Sequence, residues 1–295
     1  MIAFLILAHT DPEQVRRLVD RLQPHDVYVH VDAKTEMGGS WDGIAATFVS
    51  DRTAVYWAGF SQVDATLKLL DLALSKGTEY QRIVLLSGAC YPIKPIRELS
   101  ELFETSEHLN FMKYVAVDES GHLPTLIDRT YFRDGIMPWR AVKRLPLLRH
   151  VERALRKVLE IAARPIPRKR LEGWEPLHGS AYWAVTHECA THILETARSA
   201  AGAKLKRYYK HAFASDEQFF HTIVGNSRYA EESTGRIPYL GRGTYRAANL
   251  HLVDPSLAKW FTETDLREIR ASGMYFVRKV SSDRSVALLN ILDQT

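Results

Sequence analysis

The sequence has few of the features that define disulfide-linked, zinc-binding and membrane-spanning proteins. Its 295 residues include only two cysteines, Cys90 and Cys189, which cannot form a disulfide framework and lack zinc-site spacing. We expect both to be buried free thiols. No apolar run approaches the roughly 20 residues of a spanning helix, and the apolar start lacks the basic leader of a signal peptide. These absences predict a globular protein that is cytoplasmic or peripheral at the inner membrane.

Several sequence motifs of nucleotide and acyl chemistry are also missing. There is no Walker loop, no Gly-x-Gly-x-x-Gly after the first apolar run and no Gly-x-Ser-x-Gly elbow, which argues against P-loop, dinucleotide-binding and α/β-hydrolase proteins. No Asp-x-Asp pair occurs, although many nucleotide-sugar transferases hold a divalent metal with one. If this chain binds a nucleotide diphosphate, arginine and lysine must neutralise it. We therefore expect no metal site and no cofactor.

Positive charge is concentrated in one part of the chain. Between Arg140 and Arg170 there are eleven basic and two acidic residues, a net charge of +9 against +4 for the whole chain. The same stretch has apolar residues at helical spacing, which predicts a basic helical segment over 139–172. Its apolar face could pack on the core, or the helix could contact an anionic membrane or substrate. Nucleic acid is disfavoured, because no nucleic-acid-binding module accompanies the charge.

Apolar runs alternate with helical periodicities over the first 115 residues. The predicted strands there are Ile2–Leu7, Asp26–Val31, Thr47–Val49, Arg82–Leu86 and Leu109–Met112. Helices are predicted after Asp11-Pro12 and from a cap at Ser61. Farther on we predict a strand at His178–Val185, followed by a helix that ends at about residue 198. A second helix is predicted over about 255–272, and a final strand at Met274–Val280. The first half is thus a doubly wound α/β unit with parallel strands.

Polar residues follow three of the predicted strands. His9, Asp32 and Ser87 fall at their carboxyl ends, where doubly wound sheets bind ligands. Each could be ordinary turn chemistry by itself. Their common edge favours a binding site.

The stretch from Ser215 to Thr222 is the most informative in the chain. Ser215 with Gln218 three residues on predicts a capping box, which puts Asp216 and Glu217 in the first turn of a helix. The positive end of the helix dipole keeps a carboxylate there ionised, as a general base requires. Acidic residues also favour first turns for stability alone, so this fragment by itself leaves both interpretations open.

Seven motifs in order carry a resemblance to a known family. They are Ile-Leu-Ala-His (6–9), Val-His-Val-Asp (29–32), Val-Tyr-Trp-Ala-Gly-Phe-Ser (55–61), Leu-Leu-Ser-Gly-Ala-Cys-Tyr-Pro-Ile-Lys (85–94), Gly-Ser-Ala-Tyr-Trp-Ala-Val-Thr (179–186), Ser-Asp-Glu-Gln-Phe-Phe-His-Thr (215–222) and Tyr-Phe-Val-Arg-Lys-Val (275–280). Together they resemble the core-2/I-branching β-1,6-N-acetylglucosaminyltransferases of glycosyltransferase family 14, which also contains the peptide O-xylosyltransferases. The resemblance covers roughly residues 2 to 285 and suggests a bacterial member, without the anchor and stem of animal relatives.

The resemblance implies a single α/β domain of the GT-A type over residues 1–295, with a Rossmann-like, mostly parallel central sheet flanked by helices. Residues 1–115 would form the nucleotide-binding half and 116–295 the acceptor-binding and catalytic half. The implied reaction is an inverting, metal-independent transfer from a UDP-sugar to a hydroxyl of a glycan or glycoconjugate. N-acetylglucosamine is favoured as the donor sugar. Xylosyl transfer from UDP-xylose to a peptide, and a non-catalytic sugar- or nucleotide-binding relative, stay open.

The resemblance also implies roles for individual residues. Glu217 would be the general base, with Lys279 and Arg246 stabilising the departing diphosphate. Nucleotide contacts are expected at His9, Asp32, Trp57, Ser87 and Arg278. Substrate contacts are expected at Tyr91, Ser180, Tyr182, Trp183 and Asp216, although Trp183 fits a core aromatic equally well. Cys90 stands where the family commonly has aspartate, which leaves that part of the substrate site open.

Overall fold

The computed structural model describes residues 1–145 and 147–294. Its strands are β1 (Ile2–Ala8), β2 (Asp26–Val31), β3 (Thr47–Phe48), β4 (Arg82–Ser87), β5 (Cys90–Pro92), β6 (Asn110–Ala116), β7 (Leu177–Gly179), β8 (Ala184–Val185), β9 (Ser233–Arg236), β10 (His251–Val253) and β11 (Phe276–Arg278). Its α-helices are α1 (Pro12–Arg21), α2 (Ser61–Leu74), α3 (Ile96–Thr105), α4 (Pro124–Asp128), α5 (Trp139–Arg144), α6 (Leu147–Ala163), α7 (His187–Arg198), α8 (Ala200–Tyr209), α9 (Phe219–Gly225), α10 (Leu266–Ala271) and α11 (Val286–Leu292).

An eight-stranded sheet forms the centre of the fold. Its order is β3-β2-β1-β4-β8-β6-β7, with β9 paired to β6. The pairs from β3 to β4 are parallel, whereas β8 pairs antiparallel with both β4 and β6. The predicted α/β class, with a mostly parallel central sheet flanked by helices, is therefore confirmed. The sheet also takes strands from both halves of the chain.

Alternate residues of β1 pack into two different hydrophobic cores. Ile2, Phe4 and Ile6 belong to the core that includes the apolar face of α1, and Ala3 and Leu5 to the core that includes α2. All five are completely buried. Helices on both faces explain why this strand is a continuous apolar run instead of an alternating one. Burial of each large apolar side chain contributes roughly 1.5–3 kcal/mol.

The first two helices begin in different ways. Asp11 Oδ1 accepts the Gln14 N–H at 3.1 Å and proline follows, so the predicted cap of α1 is confirmed. The predicted cap of α2 is wrong, because the Ser61 hydroxyl instead accepts the Tyr56 N–H at 2.8 Å. The N-terminal amides of α2 donate to the distant Asp134 carboxylate at 3.0 and 3.1 Å. A side chain 73 residues away thus supplies the cap.

The predicted capping box at Ser215 is also wrong. Ser215–Glu217 is a separate 3₁₀ turn, and α9 begins only at Phe219. The Ser215 hydroxyl donates to the Tyr209 carbonyl at 2.6 Å, and the Gln218 amide donates to the Phe213 carbonyl at 2.6 Å. Asp216 and Glu217 therefore lie ahead of the helix, not in its first turn, and the dipole argument does not apply to them.

The C-terminal part of the chain adds a second sheet of three strands, β10-β11-β5. Strand β11 runs antiparallel to β5, which pairs Arg278 with Cys90. The predicted strand 274–280 is thus confirmed over a shorter range. The predicted strand 178–185 is two short strands, β7 and β8, and only α10 and a preceding 3₁₀ turn form within 255–272.

The basic segment folds as α5 and α6. Every residue of α6 is at least partly exposed, and several of its apolar side chains are among the most exposed in the protein. The core-facing alternative for this helix is therefore wrong.

Candidate active site

The carboxyl ends of β1, β2 and β4 bring His9, Asp32 and Ser87 to one edge of the large sheet. The Asp32 N–H donates to the Ala8 carbonyl at 2.8 Å, which holds the ends of β1 and β2 together. Burial lowers the pKa of His9, and the positive charges of Arg278, Lys34 and Lys279 lower it further, while Asp32 opposes them. His9 is therefore a neutral imidazole among charged groups at neutral pH.

Asp32 is buried and fixed by three donors. Its Oδ1 accepts the backbone N–H of Lys34 at 2.9 Å and of Val55 at 3.2 Å, and its Oδ2 pairs with Lys34 Nζ at 2.8 Å. The Lys34 ammonium also donates to the Val55 carbonyl and lies 4.2 Å from the centre of the Tyr56 ring. Lys34 was not among the predicted site residues. Its position two residues after a strand-end aspartate was the available signal.

Arg278 is the central cation of the site. Arg278 pairs opposite Cys90 in the small sheet. Its Nε donates to the Ser87 hydroxyl at 3.0 Å. Its guanidinium lies 5.2 Å from the centre of the Tyr182 ring. Burial is the largest influence on the Arg278 pKa and lowers it. The groups Tyr182, Cys90, Asp216 and Glu217 together outweigh burial and raise the pKa above its ordinary value. Arg278 thus stays charged in a desolvated position, which requires neighbouring acceptors.

The carboxylates of Asp216 and Glu217 act electrostatically on Arg278. Burial raises the pKa of Asp216 to about 6, although the backbone amides of both residues and Arg278 favour the ionised form. The Glu217 Oε2 lies 3.8 Å from His178 Nε2. Burial lowers the pKa of His178 to about 4, so this imidazole is neutral at neutral pH and the contact is not an ion pair. His178 was also missing from the predicted site, because a lone histidine gives no sequence signal.

Lys279 extends the positive charge beyond Arg278. Burial and the charge of Arg278 lower the pKa of Lys279, and its ammonium lies 5.7 Å from the Trp260 ring. Arg246 is exposed and lies over the Tyr245 ring, in a cleft that it lines with His178 and the residues near 240. The structure therefore groups Arg278, rather than Arg246, with Lys279.

Three predicted substrate contacts lie in the interior. Tyr91, Ser180 and Trp183 are 0%, 4% and 1% exposed, and their contact with substrate stays a prediction. The Tyr91 hydroxyl bonds to Asp293 near the C-terminus, and Trp183 packs in the core. The Ser180 hydroxyl accepts the Tyr182 N–H at 3.2 Å, and this turn places the Tyr182 ring beside Arg278.

Cys90 and Cys189 are buried free cysteines, as predicted. Burial raises the pKa of Cys90, and its Sγ accepts the Ser87 N–H at 3.3 Å. Cys90 is therefore a neutral thiol next to Arg278. The carboxylates that favour the charged form of Arg278 are those of Asp216 and Glu217.

Trp57 lines an open cavity next to this cluster. It is 75% exposed and packs edge-on against Phe213 at 5.5 Å. The Ala58 carbonyl accepts the Ala214 N–H at 3.0 Å, which ties this loop to the turn that carries the two carboxylates. The cavity encloses about 540 Å³ and is lined by Lys34, Tyr56, Trp57, Arg133, Gly135, Trp139, Val142, Lys143, Arg149, Glu152, Arg153 and Arg156. Its lining is strongly cationic and partly aromatic, which suits an anionic ligand.

Metal ligands are not grouped in this site. In residues 1–145 and 147–294, no three histidine, cysteine, aspartate or glutamate side chains are placed to hold a metal ion. Metal independence of any reaction stays a prediction.

Residues 2–127 match the family model described as Core-2/I-Branching enzyme. This part of the chain is therefore similar to Core-2/I-branching enzymes. The matched residues include His9, Asp32, Lys34 and Ser87 at the sheet edge, whereas the two carboxylates and Arg278 lie outside them.

Curated relatives and a solved structure extend the comparison. Xylosyltransferase 2 of Rattus norvegicus is 23% identical over 243 residues, which is 78% of this chain and 25% of the relative. Xylosyltransferase 1 of the same organism is 22% identical over 243 residues, 78% of this chain and 26% of the relative. The chain thus spans about a quarter of the length of these relatives. The apo structure of mouse Xyloside xylosyltransferase 1 aligns with 13% identity and a TM-score of 0.31, covering 81% of this chain and 85% of that one.

Proposed function

We propose that this protein, which is similar to Core-2/I-branching enzymes over residues 2–127, transfers a sugar from a uridine diphosphate sugar to a hydroxyl group of a glycan or glycoconjugate. The observation that carries the proposal is that Arg278, held by Ser87 at the end of β4, lies within electrostatic range of Asp216 and Glu217. A fixed cation at the sheet edge where such folds bind ligands is therefore under the influence of a carboxylate pair.

In the proposed reaction Glu217 removes the proton from the acceptor hydroxyl. The hydroxyl oxygen attacks the anomeric carbon while the bond from that carbon to the diphosphate oxygen breaks. Attack from the face opposite the leaving group inverts the anomeric configuration. The His178 imidazole lies 3.8 Å from the Glu217 carboxylate and restricts its orientation. Because the imidazole is neutral at neutral pH, it does not cancel the charge of the carboxylate.

The diphosphate gains negative charge as it departs. Arg278 and Lys279 are proposed to stabilise that charge, which lowers the barrier because the interaction is stronger in the transition state than in the ground state. Arg246 lines the same cleft as His178, and its role as a further cation for the diphosphate stays a prediction. No metal ion is needed in this scheme.

The donor sugar has two candidates. N-acetylglucosamine is expected from the motif comparison with the branching enzymes. Xylose is favoured by the two relatives, which are both xylosyltransferases. We retain both donors as separate outcomes of one experiment.

The experiment is a donor panel with two readouts. The purified protein is incubated with UDP-sugars in excess chelator, and both thermal stabilisation and UDP release are measured. A donor present at about 100 times its dissociation constant should stabilise the fold by about 2.7 kcal/mol. Stabilisation with slow UDP release supports the transferase and names the sugar. Stabilisation without release, even with glycan acceptors, supports the non-catalytic relative, and neither response with any UDP-sugar contradicts both.

A further inference from the structure

Helix α6 packs on the protein through acidic side chains. The Glu152 carboxylate accepts the Ile136 N–H at 2.9 Å and the Met137 N–H at 3.3 Å. The Glu160 carboxylate accepts the Phe132 N–H at 3.2 Å. Both glutamates therefore point at the segment 132–137, and this side of the helix faces the protein.

The opposite side of α6 is an exposed apolar stripe. We define the stripe as Leu147, Val151, Leu155, Val158 and Ile161, whose exposed fractions are 75%, 46%, 37%, 60% and 47%. At 1.5 Å per residue the stripe is about 21 Å long. Such a contiguous exposed apolar surface marks an interaction site.

Basic residues border the stripe. Arg153, Lys157 and Arg164 are exposed and follow one another at spacings of four and seven residues, which places them along one edge of the apolar side chains. The surrounding segment 140–170 carries a net charge of +9. The partner of this surface must therefore be both apolar and negatively charged.

We propose that the stripe docks this protein in the plane of an anionic lipid bilayer surface. An apolar helix face with a lysine- and arginine-rich border is the arrangement that binds such surfaces. A second copy of this chain is a poorer partner, because it would bring another +9 segment against the first. No helix in residues 1–145 and 147–294 is long and apolar enough to cross a membrane, so the contact is interfacial. The inference does not depend on the proposed transferase activity.

The test is flotation of the purified protein with vesicles of phosphatidylcholine alone or mixed with phosphatidylglycerol. We expect binding to the mixed vesicles and little to phosphatidylcholine alone. Raising the salt from about 0.1 M to about 1 M shortens the Debye length from about 10 Å to about 3 Å and should release most of the protein.

Matched variants separate the electrostatic contribution to vesicle binding from the contribution of the apolar stripe. Lys157→Gln with Arg164→Gln should weaken binding about 25-fold, since each charge near the surface contributes roughly fivefold. The control Lys204→Gln with Arg207→Gln removes the same charge from α8 and should leave binding unchanged. Val151→Ser with Val158→Ser should weaken binding at least about tenfold. Both side chains are exposed, so the thermal melting of that variant should match the wild type.

Three results would overturn the proposal. They are absence of binding to the mixed vesicles at low salt, an equal loss in the α8 control, and a dimer in sedimentation that Val158→Ser dissociates. The last result would assign the stripe to a second copy.

Discussion

Asp216→Asn should stabilise the protein above pH 6 but not in acid. The carboxylate has a pKa of about 6 in the folded protein against an ordinary 3.8, mainly because it is buried. Below the unfolded pKa both states are protonated and the group has no effect on the unfolding free energy. As the pH rises toward 6 the unfolded chain releases its proton first, so the unfolding free energy falls, and the full loss is reached above the folded pKa.

The size of the stability change follows from the shift in the pKa of Asp216. One pKa unit corresponds to 1.36 kcal/mol, so the shift from 3.8 to about 6 costs the folded state about 3 kcal/mol above pH 6. An asparagine cannot ionise and avoids this cost, while its amide oxygen can still accept the backbone amides of the turn. For a chain of this size the gain should raise the melting temperature by about 5 °C.

The assay is thermal or urea unfolding of wild type and variant at about pH 8 and about pH 4. We expect Asp216→Asn to be stabilised at the higher pH and much less at the lower one. As a control, Asp20→Asn replaces an exposed acid on α1 and should have the stability of the wild type at both pH values. Equal stability of Asp216→Asn and wild type at pH 8, or an equal shift at both pH values, would refute the assignment of a buried, destabilising carboxylate.

Two further predictions concern the proposed reaction. Lys279→Ala should lower turnover about 100- to 1000-fold, which corresponds to a barrier higher by roughly 3–4 kcal/mol, and should weaken UDP binding in calorimetry. The control Lys204→Ala should change neither. Normal turnover of Lys279→Ala would remove Lys279 from the leaving-group site. Wild-type activity should be undiminished by excess EDTA, because arginine and lysine neutralise the diphosphate; activity that returns only with added manganese would contradict this.

The parts of the fold that local sequence determines were predicted well. The continuous apolar run of β1 and the Asp11-Pro12 cap of α1 are local signals, and both gave the correct element. The pairing of β1 with β2 then followed from the right-handed, parallel geometry of a strand-helix-strand unit. The sheet-edge position of His9, Asp32 and Ser87 follows from the same geometry.

The failures came from contacts between distant parts of the chain. Ser215 has the sequence of a helix cap, but its hydroxyl bonds to Tyr209 and the preceding Ala214 adopts a left-handed conformation with φ 53°. The amides that begin α2 similarly use Asp134, far along the chain. No local pattern contains these partners.

The orientation of α6 shows a different limit. Its periodicity predicts an amphipathic helix and is correct, but periodicity alone does not say which face meets the protein. The carboxylates of Glu152 and Glu160 accept hydrogen bonds from backbone N–H groups of the segment 132–137, which fixes the orientation of the helix. The apolar face is therefore outward, opposite to the usual arrangement.

The most direct test of the account is the turnover of Glu217→Gln with the donor identified by the panel. The amide is nearly isosteric and cannot take a proton, so UDP binding in calorimetry should stay close to wild type while transfer to the acceptor falls at least about 100-fold. Glu231→Gln, an exposed glutamate, should retain full activity. Wild-type transfer by Glu217→Gln would contradict the assignment of the catalytic base.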